Sequence, residues 1–431
     1  MTTYARRLGL FSGTMAVVGG IIGGGIFRTP ATVAQRLGTP QLVLLAWILG
    51  GVVALIGAFC WGELGQRRPR AGGGYVYLRE TFGPLSAFLY GWTLVLVIAT
   101  GAIAAVAVTF ADYALSLMGL PHTYSVPLAV AAIVLLAAIN YVGVRPAAIT
   151  QNIFTVLKLV ALAALIGVGI FLAEPTASYR PLAPAAAGVG ALGSALVPVL
   201  FTYGGWQQTN FIAEEIIEPE RNLPRALVLG VTIVVAVYLL TNLAYLRVLG
   251  HAGLAASTAP AADTMGAVLG PAGGKMIAAG IALSTFGFLN LVILVTPRVL
   301  QAMAADGVFF RRFAALHPTY QTPSAAILAL AGFAVLLTLT GTFGQLVDFV
   351  TFGDWIFFGL TAAALFVYRR RDPIPTPGFR VPAYPATVIL FVLAAAYVVF
   401  SVILSNPRNA AIGAGLIALG IPAFLYWRSR S

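Results

Sequence analysis

The 431-residue chain is poor in the residues from which most active sites are built: it has one cysteine, three histidines, and only 9% charged residues. With Cys60 alone, no intrachain disulfide can form. His122, His251 and His317 lie singly in connections, so no metal cluster is expected. Acids are scarcer than bases, 13 against 25, for a net charge of +12. That excess does not indicate a nucleic-acid binder, because the basic residues fall in short connections rather than along one continuous face. No HExxH sequence, nucleotide-binding loop or nucleophile-base pair is visible, so neither an enzyme nor a cofactor is expected.

What is abundant is apolar sequence. Hydrophobic residues make up 60% of the chain, and its mean hydropathy of +0.94 requires that most of it be dissolved in lipid. About 20 helical residues cross the hydrocarbon of a bilayer. Twelve runs of suitable length can be counted: 9–35, 41–65, 84–117, 125–144, 151–173, 191–216, 225–249, 273–303, 323–341, 345–368, 384–405 and 409–427. The expected fold is therefore an all-α membrane protein of twelve transmembrane helices in a single polytopic domain, 1–431. Alternating the runs collects the arginines at 6–7, 67–70, 311–312 and 369–371 on one side. The positive-inside rule makes that side cytoplasmic, with both termini on it. No small-residue cleavage site follows Arg6 and Arg7, so the N-terminus is read as retained. A multi-pass protein of the cell (inner or plasma) membrane is the expectation.

Two runs are interrupted by glycine, at Gly19-Gly20-Ile21-Ile22-Gly23-Gly24-Gly25 in the first and Phe201-Thr202-Tyr203-Gly204-Gly205-Trp206 in the sixth. Hydrocarbon offers no hydrogen bonds, so unwound backbone at that depth must be buried in protein or face a polar cavity. A stopped helix presents free carbonyls and a restarted one presents free amides. The amides around Gly23, Gly24 and Gly25 can thus face a carboxylate, and the carbonyls of Ile21, Phe201 and Gly204 can accept from an ammonium group. Glycines in membrane helices also serve close packing, but matching breaks in two runs point to a binding site. Runs one to five (9–173) and six to ten (191–368) fit two inverted halves, with runs eleven and twelve (384–427) added outside.

Two ionisable residues lie inside the runs. Lys158 is roughly 12 Å into the fifth run at 1.5 Å per residue, where an ammonium needs a partner. Asp354 lies within Phe352-Gly353-Asp354-Trp355 of the tenth. Its carboxylate has three readings: selection of a cationic or polar side chain, proton exchange, or pairing with a neighbouring arginine or hydroxyl group.

At these residues the sequence resembles the APC superfamily of amino acid transporters, most closely its L-type branch. Gly-Gly-Ile-Ile-Gly-Gly-Gly-Ile-Phe-Arg-Thr-Pro from Gly19 is similar to the family's G-x-I-I-G-S-G-I-F-x-T-P. The stretch FTYGGWQQTNFIAEEIIEPERNLPRA from Phe201 is similar to F-x-Y-G-G-W-x-x-x-N-F-x-x-E-E-x-x-x-P-x-R-N-L-P. The resemblance implies the five-plus-five inverted repeat of the LeuT-like fold, with helices one and six discontinuous. It implies a substrate carboxylate on the Gly24 and Gly25 amides and an amine on the Ile21, Phe201 and Gly204 carbonyls. Phe201 matches the gating aromatic, and Trp206 and Gln207 follow the break to line the pocket. Lys158 takes the place where sodium-coupled relatives hold an ion, with Ser284 and Thr285 as neighbours.

Three departures stand out. Gly24 replaces the usual serine, Asp354 stands where L-type relatives usually carry asparagine, and the external loop 118–125 lacks the cysteine that joins animal relatives to a glycoprotein partner. The chain is expected to act as a monomer without a disulfide-linked heavy-chain subunit. The function these residues imply is sodium-independent transport of L-amino acids, as an exchanger (antiporter) of neutral amino acids working by alternating access. A proton-coupled symporter of amino acids or cationic amines is the alternative, and a sensor that binds without transport is a lesser one.

Overall fold

The computed structural model describes residues 4–173, 189–341, 343–372 and 378–429, with backbone alone at 189–190 and 343–352. Among these residues the α-helices, in chain order, are α1 (Leu10–Ile21), α2 (Thr29–Arg36), α3 (Pro40–Arg67), α4 (Gly74–Phe82), α5 (Pro84–Thr93), α6 (Thr100–Met118), α7 (Ser125–Val142), α8 (Val144–Gly167) and α9 (Val189–Thr202). They continue with α10 (Pro219–Ala256), α11 (Pro260–Leu269), α12 (Pro271–Ala305), α13 (Ser324–Thr340), α14 (Phe343–Arg371), α15 (Ala386–Ser405), α16 (Pro407–Ala418) and α17 (Gly420–Arg428). The only extended pairing among the described residues is an isolated parallel bridge between Leu8 and Ile216.

Among the described residues, eight helical stretches are long and apolar enough to cross a membrane, and α1 and α13 are shorter apolar helices. The chain is a multi-pass membrane protein. Each of the twelve apolar runs falls on helix. The third, Pro84–Met118, is one continuous rod in which α5 passes into α6 through a π-helical turn, Leu94–Ala99. The segment after Arg70 forms α4, whose Tyr75, Val76, Tyr77 and Leu78 are buried. The connection 251–272 contains α11, docked through Pro260, Ala261, Thr264 and Met265.

Helix starts follow from local chemistry. The hydroxyl of Thr39 accepts from the Leu42 amide ahead of α3, and Pro40, Pro84, Pro219, Pro260, Pro271 and Pro407 open their helices, where a missing N–H leaves nothing unpaired. Burial then ranks the helices. In α12, 78% of the apolar window is inside the protein, against 22% for α15 and 22% for Pro407–Arg428. Thus α12 is central and the last helices are peripheral. Around α12 pack α1, α6 and α8, and α10 packs on α1, α2 and α3. The two interrupted segments lie within this central group.

Candidate functional site

In the first segment α1 stops at Ile21. Ile22 leaves the helical region (φ −76, ψ 88), and the Gly23 amide turns back to the Ile21 carbonyl at 2.9 Å. A short 3-10 turn, Gly25–Phe27, then leads into α2. The amides of Gly24 and Gly25 find no acceptor among the described residues. Gly24 is exposed, and a Cβ there would meet nothing within 4 Å. The expected pair of free donors is therefore present beside open space.

In the sixth segment α9 stops at Thr202 and a 3-10 helix, Trp206–Glu215, restarts the chain. The hinge requires glycine: Gly205 has φ +110, and a Cβ on it would lie 2.1 Å from the Gly20 carbonyl oxygen. This crossing brings the two breaks into contact. A second tie is the hydrogen bond from Thr202 Oγ1 to Thr29 Oγ1 at 2.9 Å. The Gly204 carbonyl receives no hydrogen bond from a described residue, whereas that of Phe201 accepts from the Gly204 amide at 3.0 Å. The Ile21 carbonyl accepts from the Tyr238 hydroxyl at 3.0 Å, and the same hydroxyl lies 3.4 Å from the Thr202 carbonyl. Gln207 turns its Oε1 onto the Gly205 amide at 3.0 Å, where it caps the restarted helix.

Trp206 is buried in an aromatic wall, edge-on to Trp61 at 4.9 Å and within about 6 Å of Phe358 and Phe391. A small apolar cavity lies between this wall and the second break, lined by Gly204, Trp206, Trp355 and Phe358 among others. Phe201, by contrast, is 47% exposed. Asp354 is half-buried on α14, and its side chain forms no hydrogen bond or ion pair with a described residue. Its nearest recorded electrostatic neighbour is Tyr90.

Lys158 is fully buried on α8, and its ammonium donates to the carbonyls of Ile22 at 2.7 Å and Gly19 at 3.2 Å. A cation at the end of α1 meets both the free carbonyls and the negative end of the helix dipole. It does not reach the membrane surface. Ser284 Oγ lies 3.2 Å from the Ile22 carbonyl and 3.3 Å from that of Gly23, so α12 joins the same cluster. Thr285, one residue on, bonds instead to Ile281 and Ala282 of its own helix. Below Lys158 the contact between α1 and α8 stays polar: Thr155 donates to Met15 and Asn152 to Ser12.

At the other end of the restarted helix, Glu215 and Arg298 form a fully buried ion pair, with Nε to Oε1 at 2.7 Å and Nη2 to Oε2 at 3.2 Å. The N-terminal segment folds over it. The amides of Arg7 and Leu8 donate to the Glu215 carbonyl at 2.9 Å, Ile217 donates to Leu8, and the Tyr4 ring lies 5.9 Å from the Arg298 guanidinium. Burial raises the Tyr4 hydroxyl above its ordinary pKa, against the pull of Arg298, so it stays protonated. This end of the restarted helix is thus closed off by buried contacts, while Gly24 and Phe201 are exposed.

Sequence reasoning did not assign roles to Tyr238, Thr202 or the Glu215–Arg298 pair. Each lies in or near a glycine-rich or charged motif, but its partner is a distant helix. Arg28 was invisible to a count of charged loops because it lies inside the first apolar run.

Two broken helices in contact, with free amides facing an opening and a cation fixed at the other helix end, define a membrane transporter and not an enzyme. The chain belongs to the amino acid permease family, whose sequence profile matches residues 8–426. It is 34% identical over 439 residues to the Asc-type amino acid transporter 1 of Mus musculus, across 99% of this chain and 82% of that one. It is 33% identical over 441 residues to the large neutral amino acids transporter small subunit 2 of the same species, again across 99% and 82%. The b(0,+)-type amino acid transporter 1 of Mus musculus is 32% identical over 418 residues, across 94% of this chain and 84% of that protein.

Proposed function

We propose that the chain is a sodium-independent exchanger of neutral L-amino acids that works by alternating access. The observation that carries this reading is the pair of unpartnered amides at Gly24 and Gly25, the first beside open space, in a break that crosses the one carrying the free Gly204 carbonyl. Donors on one side and an acceptor on the other suit the carboxylate and ammonium of one amino acid. The Phe201 carbonyl, holding one hydrogen bond, keeps a second lone pair for the ammonium, whereas the Ile21 carbonyl already accepts from the Gly23 amide and the Tyr238 hydroxyl and must exchange one of them to take part. Gly23 sets the turn that aims the amides. Trp206 and Gln207 shape the floor, the first through the aromatic wall and the second by capping the hinge. Asp354 faces the side-chain end of the substrate, and Phe201 closes over it as the gate.

Lys158, Ser284 and Thr285 form the conformational element in this scheme. A protonated lysine occupies the site where a sodium ion would sit, so the fold needs no external cation to hold α1. Relatives named as Asc-type and large neutral amino acid transporters support neutral substrates. We read the architecture as twelve crossings in two inverted five-helix halves, 9–173 and 191–368, with 384–427 outside them and both termini cytoplasmic in the cell membrane. Supporting this are the coincidence of every apolar run with helix, the matching breaks and the peripheral place of the last helices. The structure is then outward-facing, open at Phe201 and sealed at Glu215–Arg298. One of the relatives is named a small subunit. Here loop 118–125 carries no cysteine and Cys60 is buried, so we propose that no heavy chain is attached by disulfide and that the monomer is sufficient.

The test is uptake of radiolabelled L-alanine and L-leucine into proteoliposomes at symmetrical pH without sodium, comparing vesicles preloaded with unlabelled amino acid against empty ones. Uptake confined to preloaded vesicles is expected. Equal uptake into empty vesicles would exclude obligate exchange, and uptake driven only by an imposed pH gradient would make the chain a proton symporter.

A further inference from the structure

At the ends of two apolar stretches, residues far apart in sequence are brought together by aromatic rings. Phe309 to Phe313 follow the stretch Pro271–Ala305, and Trp427 and Arg428 close the stretch Pro407–Arg428. The rings of Phe309 and Phe313 stack at 5.8 Å, and Phe310 stands edge-on to Phe309 at 5.1 Å and to Trp427 at 4.6 Å. Trp427 also meets Phe309 at 5.8 Å. Phe310 nevertheless remains 54% exposed, so the cluster turns an aromatic face outward. The turn that carries it is tied to the central helix, because Gln301 of α12 donates to the Ala314 carbonyl at 3.0 Å.

The contact between Phe310 and Trp427 brings three arginines to one place. Arg311 and Arg312 follow Phe310, and Arg428 follows Trp427. All three are exposed, and none forms an ion pair or side-chain hydrogen bond with a described residue. Other exposed arginines have different surroundings: Arg7, beside Arg6, donates its amide to Glu215, in a segment that also carries Glu214, Glu218 and Glu220. Around the aromatic cluster no acid balances the charge. The chain has no Asp or Glu between Asp306 and Asp348 or after Asp372. Asp306 itself is paired with Arg79 and accepts from the Tyr75 hydroxyl at 2.8 Å. Neither α5, which packs on α17, nor α13, which packs on the Arg311–Ala314 turn, has a charged side chain.

Aromatic rings at the ends of membrane helices lie at the level of the lipid headgroups, where one part of the ring meets acyl chains and another meets water. Arginine is always charged, and its planar fork pairs with phosphate oxygens two at a time. We propose that Arg311, Arg312 and Arg428, with Phe310 and Trp427, form a binding site for the headgroup of an anionic phospholipid. The guanidinium groups take the phosphate, and the rings lie against the glycerol and the first methylenes of the chains. The exposed Leu425 and Tyr426 continue the apolar surface along α17. Exposed rings beside the charges favour a lipid over a soluble anion, which would leave them in water. The inference needs only that these helices cross a membrane, so it stands apart from the exchange reading.

The test is native mass spectrometry of delipidated full-length protein titrated with phosphatidylglycerol or phosphatidylcholine in detergent. One phosphatidylglycerol should bind ahead of all others, and phosphatidylcholine should not displace it. In R311Q/R312Q/R428Q its affinity should fall by about tenfold or more, and R311K/R312K/R428K, which keeps the charge, should recover part of the loss. A control of equal charge, R6Q/R7Q/R145Q, removes three exposed arginines from other places and should leave this first binding event unchanged. Monodisperse elution of each variant in size-exclusion chromatography shows that it is folded. An equal loss in the control would mean diffuse attraction and overturn the site, as would equal affinity for the two lipids or unaltered binding by R311Q/R312Q/R428Q. Displacement of the lipid by an equal concentration of glycerol 3-phosphate would assign the arginines to a soluble anion and also overturn it.

Discussion

The Lys158 ammonium lies 2.7 Å from the Ile22 carbonyl, and through it α8 holds the stopped end of α1 beside the two free amides. The same carbonyl lies 3.2 Å from Ser284 of α12, so three helices meet at one oxygen next to the site. An event that shifts the Gly23–Gly25 backbone must therefore be felt at α8 and α12. In physical terms this is a route by which substrate binding can bias one helix arrangement over another.

Lys158→Ala removes a charge-assisted donor from two buried carbonyls, at a cost of about 1–3 kcal/mol, or about five- to 150-fold in the population of the competent arrangement. Exchange is expected to fall by at least that factor while membrane expression is retained. Normal exchange rates in a correctly inserted K158A protein would remove Lys158 from the mechanism.

The role proposed for Lys158 makes the carrier indifferent to sodium. Replacing sodium by choline at constant ionic strength should leave both the rate and the half-saturating concentration of L-alanine exchange unchanged in the unaltered protein. A sodium-dependent increase in either would show that the ammonium does not substitute for an ion.

Much of this site was legible in sequence because its chemistry belongs to the backbone. Glycine in two apolar runs marked where helices stop, and the amides and carbonyls around Gly24 and Gly204 followed from helix geometry. Lys158 was legible as a cost, since an ammonium in an apolar run must find partners, and the structure supplies them on α1. What could not be read was any contact between distant helices. The Tyr238 hydroxyl meets Ile21 across 217 residues, and the crossing of Gly20 by Gly205 depends on a helix angle that no local pattern encodes. Gln207 illustrates the same limit: its position after the break suggested the pocket, but its carbonyl caps Gly205.

The glycines of the two breaks should differ sharply in tolerance. At Gly24 a side chain has open space and an unstrained backbone (φ −79), so Gly24→Ser, which restores the residue common in the family, should keep exchange within about threefold. Gly205→Ala should cost well over 3 kcal/mol or displace α1, because it combines a positive φ with a Cβ placed on the Gly20 carbonyl. Thermal unfolding in detergent and exchange in proteoliposomes would both report this. Equal behaviour of the two variants would mean that the breaks do not cross as described.

The sealed end offers a separate test, because Glu215 and Arg298 are both fully buried. Removing one member of such a pair leaves an uncompensated charge and typically costs about 3–5 kcal/mol, whereas replacing both by apolar residues of similar size is often neutral. Glu215→Gln and Arg298→Met should therefore each lower the unfolding temperature in detergent, and the double variant E215M/R298M should recover much of the loss. The Glu215 carbonyl still anchors Arg7 and Leu8 through the backbone, so the N-terminal segment should stay in place in the double variant. If the pair also holds the inner side shut, the double variant should label faster than the unaltered protein at a cysteine introduced at Ser12, in a background with Cys60→Ala. Stable single variants would show that water or another group already compensates the charge, and unchanged labelling would leave the pair a role in stability alone.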